Sequence, residues 1–529
     1  MKTRNTIMPG LALAGLFFFF GLLALHDFGV TWDENETFQA SLDNSAALSD
    51  WTFDRPSRHE LPGYYFCMDT LRGLFASTVV SRGLMDVAAA FHLFHLVLAS
   101  LSIFLLYLLV LRTSDSARAA VFAALTLALL PKFIGHSQNN PKDLPGLFAF
   151  VLAMYAVLHA TFSGGFLRTA LAGIVLGFAC TTHLACFTIP VIAGAWFVIA
   201  DRGLLAREWR RIFMLLGASA AAFILFWPWL WTDTGNRLLA AFRVGSSFKV
   251  AEPILFAGHL YTWTTTPWYY FLGSFLISTP VLFIFLAAAS GMLFLRGGGE
   301  GLNKLKRTAL LGLLWCGWLV AFELTASSHY DGIRHVLMFL PGFCVLAGMG
   351  AEAILRRGFI FYPSRLRMLA PPVAVLLLIG LGYLLVCIAI ARIHPYEDAY
   401  LNEMTNALIG GKAEDYFEVE YWGTTYKEGA EWIDRNAEGN AAVYYVWTPQ
   451  VLYHAKRPVE VFNADAFFHD TRRPQYLMLM TRAALYDERL RRVAREYRPV
   501  FSITRQKGTL LNIYKNTAMM QAGRTGGVQ

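Results

Sequence analysis

Long apolar segments recur through the first three quarters of the chain, and they constrain the fold more than any other feature. A helix needs about 20 predominantly apolar residues to cross a hydrocarbon layer roughly 30 Å thick. Candidates lie at about 7–25, 87–111, 119–134, 146–162, 212–230, 269–295, 308–324, 336–355 and 368–392. The stretch Thr169–Ala200 is too long for one ordinary span. A hairpin of two short helices, broken near Thr181-Thr182-His183, keeps the basic turn 201–211 on the same side as the other basic turns. The reading is an all-α polytopic membrane protein of about eleven spans, N-terminus cytoplasmic. Lys2 and Arg4 precede the first apolar run, and with no A-x-A-like site after it a retained helix is expected.

Charge supports that sidedness. The turns assigned inside (1–6, 112–118, 163–168, 201–211, 296–307 and 356–367) hold 17 Lys and Arg in 54 residues. The outer loops 26–86, 132–145, 231–268 and 325–335 hold 10 in 124 residues, so the bias has the positive-inside sign. The formal charge of +8 therefore belongs to short turns and not to a nucleic-acid surface. Only 16% of residues are charged, against about 25% in soluble domains, so lipid must solvate much of the chain. Five of the six cysteines fall in apolar segments without zinc-like spacing, which argues against a disulfide framework or a metal cluster.

Residues 1–392 read as the membrane domain, with 26–86 as a first outer loop that carries interfacial helices near Thr37–Leu48 and Tyr64–Phe75. Residues 393–520 read as a small extracytoplasmic α/β domain. Helices are expected at Thr425–Asn436 and Ala483–Tyr497, and strands at Ala441–Trp447, Gln475–Met480, Pro499–Thr504 and Thr509–Tyr514. A disordered tail is expected at 521–529, and Gly297–Gly299 read as a linker.

Three polar clusters fall on the outer side. Asp33 and Glu34 follow Trp32 just after the first span. They are either solvated loop charges or a general base whose pKa desolvation would raise toward working pH. Gly135–Pro145 holds His136, Asn140, Lys142 and Asp143. It reads as a helix-capping turn, or as a second acidic site beside a phosphate-binding cation. Ser327–His335 ends in Arg334 and His335 where a span begins. An outer-boundary arginine either snorkels to lipid phosphate or binds a substrate phosphate with its planar fork. His183, at the hairpin break, is a further candidate.

An outer Trp-Asp-Glu after the first span, Asn140-Pro141-Lys142-Asp143 after the third, and Asp331-Gly332-Ile333-Arg334-His335 leading into a Pro-containing helix resemble the GT-C glycosyltransferases. The closest likeness is to the protein O-mannosyltransferase-like (family 39) and aminoarabinose-transferase-like branch. The segment from His394-Pro395-Tyr396-Glu397 to Tyr421-Trp422-Gly423 resembles a stretch in bacterial members. The likeness covers most of residues 25–425. It implies transfer of a sugar from a polyprenyl-phosphate donor to a glycan, lipid or protein acceptor, at the outer face of a bacterial inner membrane. It places the base on Asp33, with Glu34 and Asp143 as further catalytic carboxylates. Lys142, Arg334 and His335 would hold the donor phosphate, and His136, Asn140, His183 and Tyr421 would line the substrate. A D-x-D-like pair is absent from 135–145, so neither a metal nor another cofactor is expected. A multi-pass transporter of a lipid-linked or anionic substrate is the alternative. Against it, the ionisable residues gather in outer loops and not at mid-membrane.

Overall fold

The computed structural model describes residues 2–53, 65–200, 207–247, 253–262, 265–295, 299–324, 330–357, 371–439, 441–446, 451–456, 461–463 and 475–515. The tail 521–529, Gly297, Gly298 and Ser327-Ser328-His329 lie outside these residues. The chain is mostly helical, with a small sheet near its C-terminal end, as the sequence predicts. The helices are α1 (Lys2–Leu23), α2 (Trp32–Asp50), α3 (Phe66–Ser81), α4 (Val87–Ser114), α5 (Ala117–Ala128), α6 (Pro131–Asn139), α7 (Asp143–Ser163), α8 (Phe166–Thr182), α9 (Ile189–Ala200), α10 (Trp209–Leu225), α11 (Thr234–Ser247), α12 (Tyr270–Ser278), α13 (Val281–Ala289), α14 (Glu300–Glu323), α15 (Phe339–Arg357) and α16 (Pro371–Ile393).

Among the described residues, five helices are each long and apolar enough to cross a membrane: α1, α4, α7, α15 and α16. The most apolar stretch of α15 is 89% buried, against 6% for α1 and 17% for α16, so α15 is the hub and the other two show apolar side chains outward. The hub packs tightly because it carries Gly350, where a Cβ would sit 1.6 Å from the Leu286 carbonyl of α13.

Two segments read as continuous spans are instead sharply bent. α5 and α6 meet at 62° and α12 and α13 at 111°. Each break falls at a proline, Pro131 or Pro280, whose ring and missing N–H stop the preceding helix. Residues 131–139 are therefore helical, where a turn is expected from 135. The helix break falls where the sequence places it: α8 ends at Thr182, His183 is extended, and Leu184–Thr188 turns into α9.

The five-stranded sheet has the order β4-β3-β5-β7-β6, with β3 (Ala442–Tyr445), β4 (Val461–Asn463), β5 (Gln475–Met480), β6 (Phe501–Arg505) and β7 (Gly508–Lys515). A separate two-stranded hairpin pairs β1 (Ile254–Phe256) with β2 (His259–Tyr261). The central strand β5 is buried throughout and alternates between two cores. Tyr476, Met478 and Met480 pack on the side of α17 (Tyr426–Asn436), and Leu477 and Leu479 on the side of α18 (Glu488–Glu496). Short β4, β1 and β2 were not foreseen, having three residues each and no clear alternation.

Candidate functional site

The site begins with how α2 starts. Thr31 is extended and caps the helix, and Glu34 reaches back in a capping box. Its Oε2 accepts from the Thr31 amide at 2.8 Å and the Thr31 hydroxyl at 3.2 Å. Its Oε1 lies 3.0 Å from His92 Nε2 of α4. Glu34 is thus occupied in holding the first turn, which presents Asp33. Gly29, just upstream, is where the chain passes the 422–424 segment: a Cβ there would lie 2.1 Å from the Thr424 carbonyl.

Two cations converge on Asp33. Lys142 donates to its Oδ1 at 3.2 Å, and Arg334 donates to its Oδ2 at 2.5 Å. They come from turns 109 and 301 residues away in sequence. Burial pushes the Asp33 carboxyl up, but Arg334 and Lys142 outweigh it and hold the group below the usual carboxylate range. The upward shift expected from desolvation alone is therefore reversed in this state. Lys142 also reaches Glu36 at 3.5 Å. Arg334 lies 3.4 Å from Asp331 Oδ2, and its guanidinium faces the rings of Trp422 at 5.1 Å and Tyr330 at 5.6 Å.

The second outer cluster is a capped turn, one of the two readings its residue types allowed. Asn140 Oδ1 accepts from the amides of Lys142 at 3.1 Å and Asp143 at 2.8 Å, so Asn140 and not Asp143 performs the capping. Its Nδ2 donates to Asp143 Oδ2 at 3.1 Å, and His183 Nε2 lies 3.5 Å from Asp143 Oδ1. His183 Nδ1 accepts from the Ala185 amide at 3.2 Å, which leaves Nε2 as the N–H facing Asp143. His183, from the hairpin break, is thereby brought into the cluster.

His335 is placed less directly. Its Nε2 accepts from Arg334 Nε at 3.3 Å, and burial and Arg334 lower its pKa. In this arrangement it braces the Arg334 guanidinium. His136 and Tyr421 sit behind the cluster. The His136 ring meets Trp422 at 5.0 Å and its Nε2 is 3.6 Å from Asp398 Oδ1. The Tyr421 ring faces Lys132 at 5.7 Å. A cavity of about 40 Å³ lies there, lined by Lys132, Asp398, Glu418 and Tyr421 among others, room enough for ordered water.

Several buried groups were missed from sequence. Arg72, fully buried in α3, pairs with Asp69, donates to the Pro141 carbonyl at 2.7 Å and meets His95 Nε2 at 3.3 Å. It ties the 140–143 turn to helix α3. Burial lifts the Asp69 carboxyl to about 6 against the pull of Arg72. Arg482, from the turn after β5, reaches Asp331 at 2.9 Å. One of four arginines in a loop with ten acidic residues, or an arginine just past the end of a strand, carries no periodic signal.

No curated protein matches the chain in sequence. Among solved structures, it is similar to the archaeal oligosaccharyltransferase AglB from Archaeoglobus fulgidus in complex with an inhibitory peptide and a dolichol-phosphate. The identity is 15% and the TM-score 0.49, covering 82% of this chain and 58% of that one. An Archaeoglobus fulgidus oligosaccharyltransferase tethered to an acceptor peptide gives 14% identity and a TM-score of 0.49, covering 85% of this chain and 63% of that one. The chain thus spans about three fifths of the length of these proteins. Residues 78–231 match the family model of dolichyl-phosphate-mannose-protein mannosyltransferases, which bears out the resemblance to GT-C glycosyltransferases read from the sequence.

Proposed function

We propose that this protein is a GT-C-type glycosyltransferase that moves a sugar from a polyprenyl-phosphate carrier to an acceptor at the extracytoplasmic face. The observation that carries this reading is Asp33, one buried carboxylate shared by two cations from separate turns. Lys142 and Arg334 are held for an anion, and without donor the carboxylate supplies it.

The chemistry follows from that arrangement. A donor phosphate competes with Asp33 for Arg334 and Lys142. Drawn toward phosphate, the two cations no longer hold the Asp33 pKa down while burial still pushes it up, so binding the donor creates the base. The acceptor hydroxyl then attacks the anomeric carbon and gives its proton to Asp33. The bond from the anomeric carbon to the phosphate oxygen breaks on the opposite face, inverting the centre. Its electron pair leaves on the carrier phosphate, where Arg334 and Lys142 bind the growing charge more tightly than the ground state. Glu34 holds the turn bearing Asp33. Asp143, fixed by Asn140 and His183, is the second carboxylate of the site and orients substrate hydroxyls.

Incubating purified protein with a radiolabelled polyprenyl-phosphate sugar is the test: release or transfer of label is expected. Intact donor, together with uptake of that donor into sealed proteoliposomes, would sink the enzyme reading in favour of a transporter. Reporter fusions should place residues near Asn303 in the cytoplasm and residues near Asn139 and Gly439 outside. A cytoplasmic Gly439 would put the site on the wrong face.

A further inference from the structure

The C-terminal sheet reaches into the site through one side chain. Arg482 is fully buried at the end of β5. It donates through Nη2 to Asp331 Oδ1 at 2.9 Å, through Nε to Glu418 Oε1 at 3.4 Å, and through Nη1 to the Tyr421 carbonyl at 3.3 Å. Its guanidinium lies over the Trp32 ring at 5.1 Å.

Two of these partners sit beside the residues that meet at the centre of the site. Asp331 divides its oxygens between two arginines: Oδ1 to Arg482, and Oδ2 to Arg334 at 3.4 Å. Asp331 and Gly332 have φ +53° and +65°, the left-handed pair that an Asp-Gly turn favours. Trp32 is the residue before Asp33, and its amide donates to the Trp422 carbonyl at 3.3 Å. Arg482 therefore contacts the neighbour of the carboxylate and the partner of the cation.

We propose that Arg482 is a positioning residue for transfer, setting Arg334 through Asp331 and Asp33 through Trp32, so that the C-terminal sheet is part of the active site. This inference rests on the glycosyl-transfer reading above. An arginine fork can serve Asp331, Glu418 and the Tyr421 carbonyl together. A lysine keeps the charge but cannot span the three directions. Arg334 is then free to swing from Asp33 toward Tyr330, and the two cations no longer present one preorganised anion site.

The test is Arg482→Lys in the full-length protein, which keeps a cation beside the buried Glu418 and leaves Asp331 its second arginine. A cryo-EM map is expected to show the sheet and α2 in place and the Arg334–Asp33 contact opened. An unchanged contact would overturn the proposal whether or not the protein transfers sugar. With turnover measured, kcat is expected to fall by about ten- to a hundredfold, the scale of a misplaced reacting group, with donor KM changed far less. In an Arg334→Lys background the same substitution is expected to add little, because both act on one guanidinium. A full independent loss there, or lower thermal stability with wild-type kcat, would make Arg482 structural only. If wild-type protein transfers nothing, the functional reading falls and the map alone decides the role of Arg482.

Discussion

Two buried carboxylates in this protein each hold two cations, and they differ in one telling respect. Glu352 of α15 is fully buried and takes a two-pronged bond from Arg118 of α5, at 3.0 Å to each oxygen, and another from Arg356 at 2.7 Å. Those arginines are 63% and 42% exposed, and one is a helical turn away on the same helix. Asp33 instead holds Lys142 and Arg334, only 22% and 7% exposed, from turns distant in sequence, with two aromatic rings beside Arg334. Cations left in water around a buried carboxylate pin two helices. Cations themselves taken out of water must be matched by an anion, and a carboxylate on the first turn of a helix can yield its place to another anion where one clamped between two helices cannot.

The comparison breaks first on turnover. Asp33→Asn should preserve expression and donor binding and lower kcat by about two orders of magnitude or more, the usual weight of a general base. Wild-type turnover in that variant would remove Asp33 from the role. Glu34→Gln should do less, acting through the helix start.

The cations come next. Arg334→Ala should remove about 2–4 kcal/mol of transition-state stabilisation, and Arg334→Lys should recover part of it. Combined with Lys142→Ala, the losses should fall short of additive, since both cations face one anion. Clean additivity with wild-type donor affinity in both single variants would mean that they serve lipid headgroups.

At the other carboxylate, Glu352→Gln should cost about 1–3 kcal/mol of stability in a denaturation series, the scale of hydrogen bonds to charged groups. Its turnover should stay within about twofold of wild type. A large loss of kcat there would erase the distinction between the two clusters.

The smallest effects are in pH. The folded pKa of Asp33 lies below its ordinary 3.8, so its pairing stabilises the protein above that value and is lost as pH falls through the lower folded value. His394 has the opposite sign. Hydrogen bonding to Glu397 raises it to about 9, so its stabilisation is complete below pH 6.5 and lost as pH rises through about 9. Thermal midpoints of wild type and His394→Gln should therefore converge above pH 9, while wild type and Asp33→Asn should converge in acid. Parallel midpoints across both ranges would contradict these assignments.

The sequence determined the elements whose signal is local. Apolar length and basic turns marked the helical membrane body. The helix break at His183 and most of the sheet strands followed from pattern and charge, because lipid selects for apolar length and a buried sheet for alternation. Asp33, Lys142 and Arg334 were legible as candidates because their polar clusters lie in loops assigned to one side of the membrane. What the tertiary structure alone decided is which of them meet. The bends at Pro131 and Pro280 do not announce their angles. The downward pull on Asp33 comes from groups more than a hundred residues away, and Arg72 and Arg482 reach the site from helix α3 and from the turn after the central strand, with no motif around them. Coulombic and hydrogen-bonding partners are chosen by distance in space, and distance in space is the one quantity that a linear pattern does not carry.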